Sequence, residues 1–222
     1  MKRLVILRPE SGAARTASRA AELGLTADVH PLFVPQPLGW IPPAPDRFDA
    51  LLLTSANGVR LAGAHLADYR DLPAYAVGRA TAGALAQEGF DNVVAGTSDG
   101  SAIAARIAAD GHAKVLHLAG KTVAPMDEGA LTIERVAVYA MMRTQDDGLA
   151  QRIAPDSVIM VHSPRAGEIL AERVGQAQRA DLHLIAISPA ALAASGAGWA
   201  SARSVDSPDD ERMLALAVRL CE

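Results

Sequence analysis

Short apolar runs of strand length recur along the whole chain, at 4–7, 29–34, 50–53, 74–77, 92–95, 115–118, 136–142, 158–161, 182–187 and 202–205. Between most of them lie alanine-rich segments with apolar positions at helical spacing: 12–23, 57–66, 80–88, 102–109, 165–174, 190–194 and 209–220. Continuous apolar strands alternating with amphipathic helices predict βαβ units, and therefore α/β architecture with parallel sheets covered by helices on both faces. Gly24, Gly89 and Gly111 follow three of the helical segments as stops in the left-handed conformation.

Two stretches break this rhythm. Residues 31–46 are dense in proline (Pro31, Pro35, Pro37, Pro42, Pro43, Pro45), so they form neither a helix nor a central strand and read as an extended connector. From Lys121 a loop with glycine and proline leads into a strand-like stretch at 133–142. The breaks predict a compact middle unit over about 39–132, with linkers at about 31–46 and 133–142. Residues 1–34 and 140–222 would then rejoin as one discontinuous α/β domain holding both termini. Two consecutive domains is the rival reading of the same pattern, and no repeat of fixed period decides between them.

Composition narrows the class. A chain of 222 residues that is 50 % hydrophobic and 21 % charged is neither disordered nor of low complexity, and it is long enough for a sizeable core. Lys and Arg number 21 against 25 Asp and Glu, a formal charge of −4, which argues against a general nucleic-acid binder. The single Cys221 allows no internal disulfide and no thiolate zinc site, in keeping with a reducing compartment. No apolar run approaches the roughly 18 residues of a membrane span. The apolar stretch after Lys2 and Arg3 ends at Arg8 and Pro9, too short for a signal peptide, so a cytoplasmic location is expected.

The turns after the strands carry most of the chemical information, because open parallel sheets bind ligands beyond the carboxyl ends of their strands. They read Thr54-Ser55-Ala56-Asn57-Gly58, Gly78-Arg79-Ala80-Thr81, Thr97-Ser98-Asp99-Gly100-Ser101, Ser163-Pro164-Arg165, Ser188-Pro189 and Ser207-Pro208-Asp209-Asp210-Glu211. Each taken singly is accounted for by a helix cap, with proline filling the first helical position in the three that carry it. The last carries the acids that helix starts favour, whereas four others carry none and two of these carry Arg79 and Arg165. Positive side chains at positive helix ends are sensible where those ends face an anion, which predicts a cleft for a ligand with several carboxylates or phosphates.

Three sharper motifs fail on inspection. Gly96-Thr97-Ser98-Asp99-Gly100 matches a nucleophile elbow, with Asp127 or Asp146 and His162 or His183 in triad order. Asp99 beside Ser98 would oppose an oxyanion, so a capped turn is the better reading. Ala119-Gly120-Lys121-Thr122 resembles half a phosphate loop, but its first glycine position is Val115 and Pro125 interrupts any following helix. Nucleotide binding is excluded there, while Lys121 stays a candidate anion contact. The histidines at 30, 65, 112, 117, 162 and 183 show no metal-ligand spacing and read as structural or exposed. Tyr139, in Arg135-Val136-Ala137-Val138-Tyr139-Ala140, reads first as a tyrosine packing on a strand, and its place in a segment joining two lobes makes it a candidate for chemistry as well.

The ordered pieces resemble the uroporphyrinogen-III synthase family over nearly the whole chain. They are Ile6-Leu7-Arg8-Pro9, Pro31-Leu32, the run from Phe48 through Thr54-Ser55-Ala56-Asn57-Gly58-Val59, and Ala76-Val77-Gly78-Arg79-Ala80-Thr81-Ala82. Lys114-Val115-Leu116 with Gly120, Val138-Tyr139 with Thr144, His162-Ser163-Pro164 and Ala186-Ile187-Ser188-Pro189 complete the series. The resemblance implies two α/β lobes, each a parallel sheet covered by helices, joined by a two-stranded extended linker, with the first segment in the lobe of the C-terminal half. It implies a cofactor-free, cyclising hydro-lyase that closes the linear tetrapyrrole hydroxymethylbilane to uroporphyrinogen III, inverting ring D and losing water, in the cleft between lobes. By the same resemblance Tyr139 assists departure of the hydroxyl, and Ser55 and Thr81 match the serine and threonine of two substrate turns. Arg8, Asn57, Gly78, Arg79, Ser101, Lys121, Ser163, Arg165 and Ser188 complete the candidate contacts for a substrate with eight carboxylates. The expected partners are that small molecule, no nucleic acid, no membrane and no metal. The chain is expected to be a monomer that touches the preceding pathway enzyme transiently. Two departures stand out: Ala119-Gly120 where the family often has Arg-Gly, and Ser188-Pro189-Ala190-Ala191-Leu192 where it often has Gly-x-x-Thr-Ala. A non-enzymatic two-lobed receptor for an anionic metabolite is the alternative, and a serine hydrolase through Ser98 the weaker third.

Overall fold

A computed structural model describes residues 2–96, 99–145 and 148–221. The chain runs through β1 (Leu4–Ile6), α1 (Glu10–Glu22), β2 (Ala27–Val29) and β3 (Phe33–Pro37). It continues with β4 (Ala50–Leu53), α2 (Ala56–Leu61), β5 (Ala74–Ala76), α3 (Arg79–Gln87), β6 (Val93–Ala95) and α4 (Gly100–Ala109). Next come β7 (Lys114–Gly120), β8 (Thr132–Arg143), α5 (Leu149–Arg152), β9 (Val158–Val161), α6 (Pro164–Arg173) and α7 (Gln176–Arg179). The chain ends with β10 (His183–Ala186), α8 (Pro189–Ala194), β11 (Ser201–Ser204) and α9 (Asp210–Cys221). It divides into two compact units, one of Met1–Val34 with Arg143–Glu222 and one of Pro35–Met142.

In the first unit five parallel strands lie in the order β11-β10-β9-β1-β2. Leu4 pairs with Val158 in register, so the first strand is locked between segments far apart in sequence. In the second unit the order is β3-β8-β7-β4-β5-β6. Every pair from β8 to β6 is parallel. The sheet is nevertheless mixed, because β3 runs against β8: Leu38 N–H donates to Val138 O at 2.9 Å. This differs from the all-parallel sheet expected for each lobe. The strand-like stretch 133–142 is part of β8, hydrogen-bonded to β7. The prolines of β3 are tolerated because it is an edge strand, whose outward N–H groups need no partner. The run 29–34, expected as one strand, instead ends β2 and begins β3, with Pro31 between them.

The pattern of β4 explains the layering of the second unit. Leu51 and Leu53 enter one core with Val59, Leu85, Leu116 and Leu118, while Ala50 and Leu52 enter another with Tyr75, Ile103, Ile107 and Val115. All four β4 side chains are buried, one pair on each face, as a helix-covered parallel strand requires. Burial of each leucine is worth roughly 1.5–3 kcal/mol. Gly24, Gly89 and Gly111 take φ of +77°, +83° and +91° after α1, α3 and α4, the stops their positions predict.

Both units share one connectivity. From β4 the chain winds outward through β5 and β6, then returns to place β7 and β8 on the other side. From β9 it winds outward through β10 and β11, while β1 and β2 occupy the other side. Each sheet therefore has a switch point, between β4 and β7 in one unit and between β9 and β1 in the other. At such points the connections leave in opposite directions and open a crevice at the strands' carboxyl ends.

Candidate functional site

In the second unit this crevice is a cavity of about 370 Å³. Thr54 and Ser55 after β4, Val77 after β5, His117 and Gly120 of β7, and Tyr139 of β8 line it. Asp99 and Gly100 at the start of α4 and residues 122–126 complete the wall. After β1 the chain forms α1, but after β7 the corresponding connection carries Pro125 and forms no helix, so it borders the cavity as a loop. Ser101 holds that loop by accepting the N–H of Asp127 at 3.0 Å.

A bulge aims Tyr139. The β7–β8 register runs evenly to Ala119 opposite Ala137, then shifts so that Gly120 stands opposite Tyr139. A Cβ on Gly120 would lie 2.8 Å from Tyr139 Cζ and 3.0 Å from its hydroxyl, so only glycine allows the ring to lie there. Lys121 N–H donates to Tyr139 O at 2.8 Å and fixes the backbone beyond the bulge. The ring is half-buried against the apolar core, and among the described residues its hydroxyl makes no hydrogen bond. His117, which also lines the cavity, is buried, with Nε2 3.2 Å from Thr54 Oγ1 and Nδ1 accepting from Arg135 Nε at 3.3 Å. Burial, and then the nearby Arg135 charge, push the His117 imidazole down to about 4, so it is neutral at pH 7.

The crevice of the first unit is occupied by the protein's own charges. Arg8 Nη1 lies 3.3 Å from Asp210 Oδ1, His162 Nε2 lies 2.8 Å from the same oxygen, and the buried Thr16 hydroxyl donates to Oδ2 at 2.6 Å. Burial works to raise the Asp210 pKa, but the bonds from His162 and Thr16 and the Arg8 charge prevail and hold it at about 2. Arg8, a candidate substrate contact, is thus already paired within its own unit.

The structure brings together two of the candidates, Ser55 and Tyr139, on one cavity wall. Ser55 caps α2 by accepting Asn57 N–H at 3.2 Å, and Asn57 itself does not line the cavity. Gly78 caps α3, Arg79 is its exposed first residue, and Thr81 is buried two residues on. Lys121 is exposed at the end of β7, and among the described residues neither Arg79 nor Lys121 nor any other cationic side chain lines the cavity. In the other unit Ser163 and Ser188 cap α6 and α8, accepting from Ala166 and Ala191 N–H groups at 3.2 Å each. Arg165 lies exposed over Phe33, 4.6 Å from the ring centre. Thr54 and His117 are the site residues that sequence reasoning missed. The hydrolase reading gains nothing: His162 faces Asp210, His183 faces Asp156 and Ser201, and Asp127 Oδ1 accepts Gly129 N–H. Ser98 and Asp146 lie outside the described residues. Among the described residues no group of three His, Cys, Asp or Glu side chains is placed to hold a metal ion, and no helix is long and apolar enough to cross a membrane.

The family model described as uroporphyrinogen-III synthase HemD matches residues 14–215, nearly the whole chain. The chain belongs to the uroporphyrinogen-III synthase family. No curated protein matches it in sequence closely enough to add to this. The crystal structure of a uroporphyrinogen-III synthetase from Helicobacter pylori 26695 is similar over 99 % of this chain and 100 % of its own, with a TM-score of 0.65 and 19 % identity. That likeness is one of fold. A uroporphyrinogen III synthase from Thermus thermophilus matches over 100 % of both chains with 14 % identity and a TM-score of 0.43, too distant to add to it. Members of the synthase family are cyclising lyases of heme biosynthesis.

Proposed function

We propose that this chain converts hydroxymethylbilane to uroporphyrinogen III with inversion of ring D, and that the cavity of the second unit takes the reacting end of the substrate. The observation that carries the reaction is the family match over 14–215. The placement is supported by the unbonded Tyr139 hydroxyl at a switch-point cavity. At about 370 Å³ the cavity suits a terminal pyrrole with its side chains, not four substituted rings.

Tyr139 donates its O–H to the hydroxymethyl oxygen as the C–O bond breaks, and the oxygen departs as water. The electron pair of the broken bond leaves with that oxygen, so the pyrrole becomes a delocalised azafulvene cation. A substituted carbon of ring D then attacks it to form a new C–C bond. The older methylene bond to that carbon breaks, its electron pair restoring ring D and leaving the neighbouring pyrrole as an azafulvene cation. The free carbon of ring D attacks this second cation, and the proton lost from that carbon replaces the one Tyr139 gave. Holding ring D so that its substituted carbon, and not the free position, attacks first is catalysis by orientation, and the proton donor assists it. The lining suits a cation: its charged member is the carboxylate of Asp99, and His117 is neutral. Arg79 of one unit and Arg165 of the other are assigned to substrate carboxylates. The same reading makes the protein a cytoplasmic monomer that takes its short-lived substrate from the preceding enzyme.

Freshly generated hydroxymethylbilane added to the protein should give isomer III faster than spontaneous closure gives isomer I. Isomer I alone, at the spontaneous rate, would overturn the reading.

A further inference from the structure

Counting donors and acceptors at the floor of the cavity fixes the position of a proton. Arg135 Nη2 donates to Glu128 Oε1 at 2.8 Å while its Nε donates to His117 Nδ1 at 3.3 Å. A guanidinium has no lone pair with which to accept, so Nδ1 must offer one, and a neutral ring then carries its proton on Nε2. Nε2 is 3.2 Å from Thr54 Oγ1, so the threonine oxygen accepts that proton. Among the described residues Thr54 makes no other side-chain hydrogen bond, and it lines the cavity. Its own hydroxyl proton is left to donate into that space.

We propose that His117 is a positioning residue that occupies one lone pair of Thr54 and so biases its hydroxyl to donate to the departing hydroxyl oxygen in the cavity that Tyr139 also lines. This rests on the reaction proposed above. A hydroxyl can ordinarily donate or accept, and its ambivalence makes it a weak orienting group. With one lone pair committed to His117, Thr54 favours a guest that is an acceptor. The guest's nature follows from the lining. A carboxylate would meet Asp99 and no cationic side chain, whereas a neutral hydroxyl gaining negative charge as its C–O bond breaks needs only neutral donors. A neutral His117 also adds no positive charge beside the cation left on the pyrrole. Burial of that ring, which keeps it neutral, is therefore part of the device.

The test separates a donor acting in the chemical step from a packing role and from a binding role. Thr54→Val keeps the shape and removes the hydroxyl, and should lower kcat about tenfold with KM within about twofold. Thr54→Ser should restore most of the loss. His117→Met should lower kcat as Thr54→Val does, and His117→Gln, which retains an N–H for Thr54, should recover part of that loss. His117→Met combined with Thr54→Val should be no worse than Thr54→Val alone. Nitrogen NMR of the unmodified protein should show His117 protonated on Nε2 and not on Nδ1, a result independent of activity. An Nδ1–H tautomer, a raised KM with unchanged kcat, or variants that only melt earlier would each overturn the proposal. Failure of the parent protein to form isomer III would instead sink the reaction itself, whatever the tautomer.

Discussion

Tyr139 stands over Gly120 because β8 carries one residue more than β7 between the Ala119–Ala137 pair and the Gly120–Tyr139 pair. Alternation along 136–142 predicts an ordinary strand residue, and no sequence periodicity marks the extra residue, since a bulge is a property of two paired strands. The resemblance singled out Tyr139, but its direction was legible only in the fold. Thr54 and His117 were illegible for a related reason: a histidine inside an apolar strand is usually core, and its partners are Thr54, from the turn after β4, and Arg135, from β8. Tyr139→Phe should lower turnover clearly, by about tenfold to a hundredfold, because positioned acid catalysis contributes at most modestly where the substrate also loses water unaided. Enzymatic product should remain isomer III, and stability should move by less than about 1 kcal/mol because among the described residues the hydroxyl has no partner to lose. Unchanged turnover with a lowered melting temperature would make Tyr139 a packing residue. Gly120→Ala should cost about 1–3 kcal/mol and reduce turnover too, since its methyl would enter the space of the Tyr139 ring, and calorimetry with a rate assay checks both.

At the scale of elements, alternation of strand and helix was plain in the sequence because both faces of these sheets are buried. The failures fall where pairing overrides local pattern. Proline-rich 31–46 contains an edge strand that composition alone reads as a connector, whereas the loop read from Lys121 onward, with Pro125 in it, is indeed free of helix. Arg79 begins α3 and Arg165 lies in the first turn of α6, both exposed and without an acid in that turn. Next to the unpaired N–H groups of helices of nine and ten residues these cations are locally unfavourable, and a bound carboxylate would relieve that. Arg79→Glu and Arg165→Glu should each weaken binding of uroporphyrinogen III a few-fold at low salt, with the difference shrinking as salt shortens the screening length below about 8–10 Å. Titration calorimetry at two ionic strengths measures this. Affinity unmoved by both reversals would leave the acid-free helix starts without a ligand role.

For the whole molecule, the two units should respond to acid at different pH. His117 in the second unit has its folded pKa lowered from 6.5 to about 4. Between those values the unfolded chain binds a proton that the folded unit does not, so stability falls as pH falls through that window and is unaffected above it. The loss is on the order of 3 kcal/mol by pH 4, a large part of a small unit's stability. In the first unit the Asp210 pKa is lowered from 3.8 to about 2, so its contribution persists above pH 3.8 and disappears only below it. Among the described groups with a displaced pKa, only His117 has its window between 4 and 6.5. The two tryptophans make the difference measurable, since Trp40 lies in the second unit and Trp199 in the first. Each sits half-buried with its indole N–H bonded within its own unit, to Ala62 O at 2.8 Å and to Gly196 O at 3.1 Å. In Trp199→Phe protein, Trp40 fluorescence should report an acid transition at higher pH than Trp199 reports in Trp40→Phe protein, at one fixed urea concentration. His117→Gln should move the Trp40 transition to lower pH and leave that of Trp199 in place. Coincident transitions that His117→Gln does not move would mean that the units unfold as one and that the buried imidazole does not set their limit.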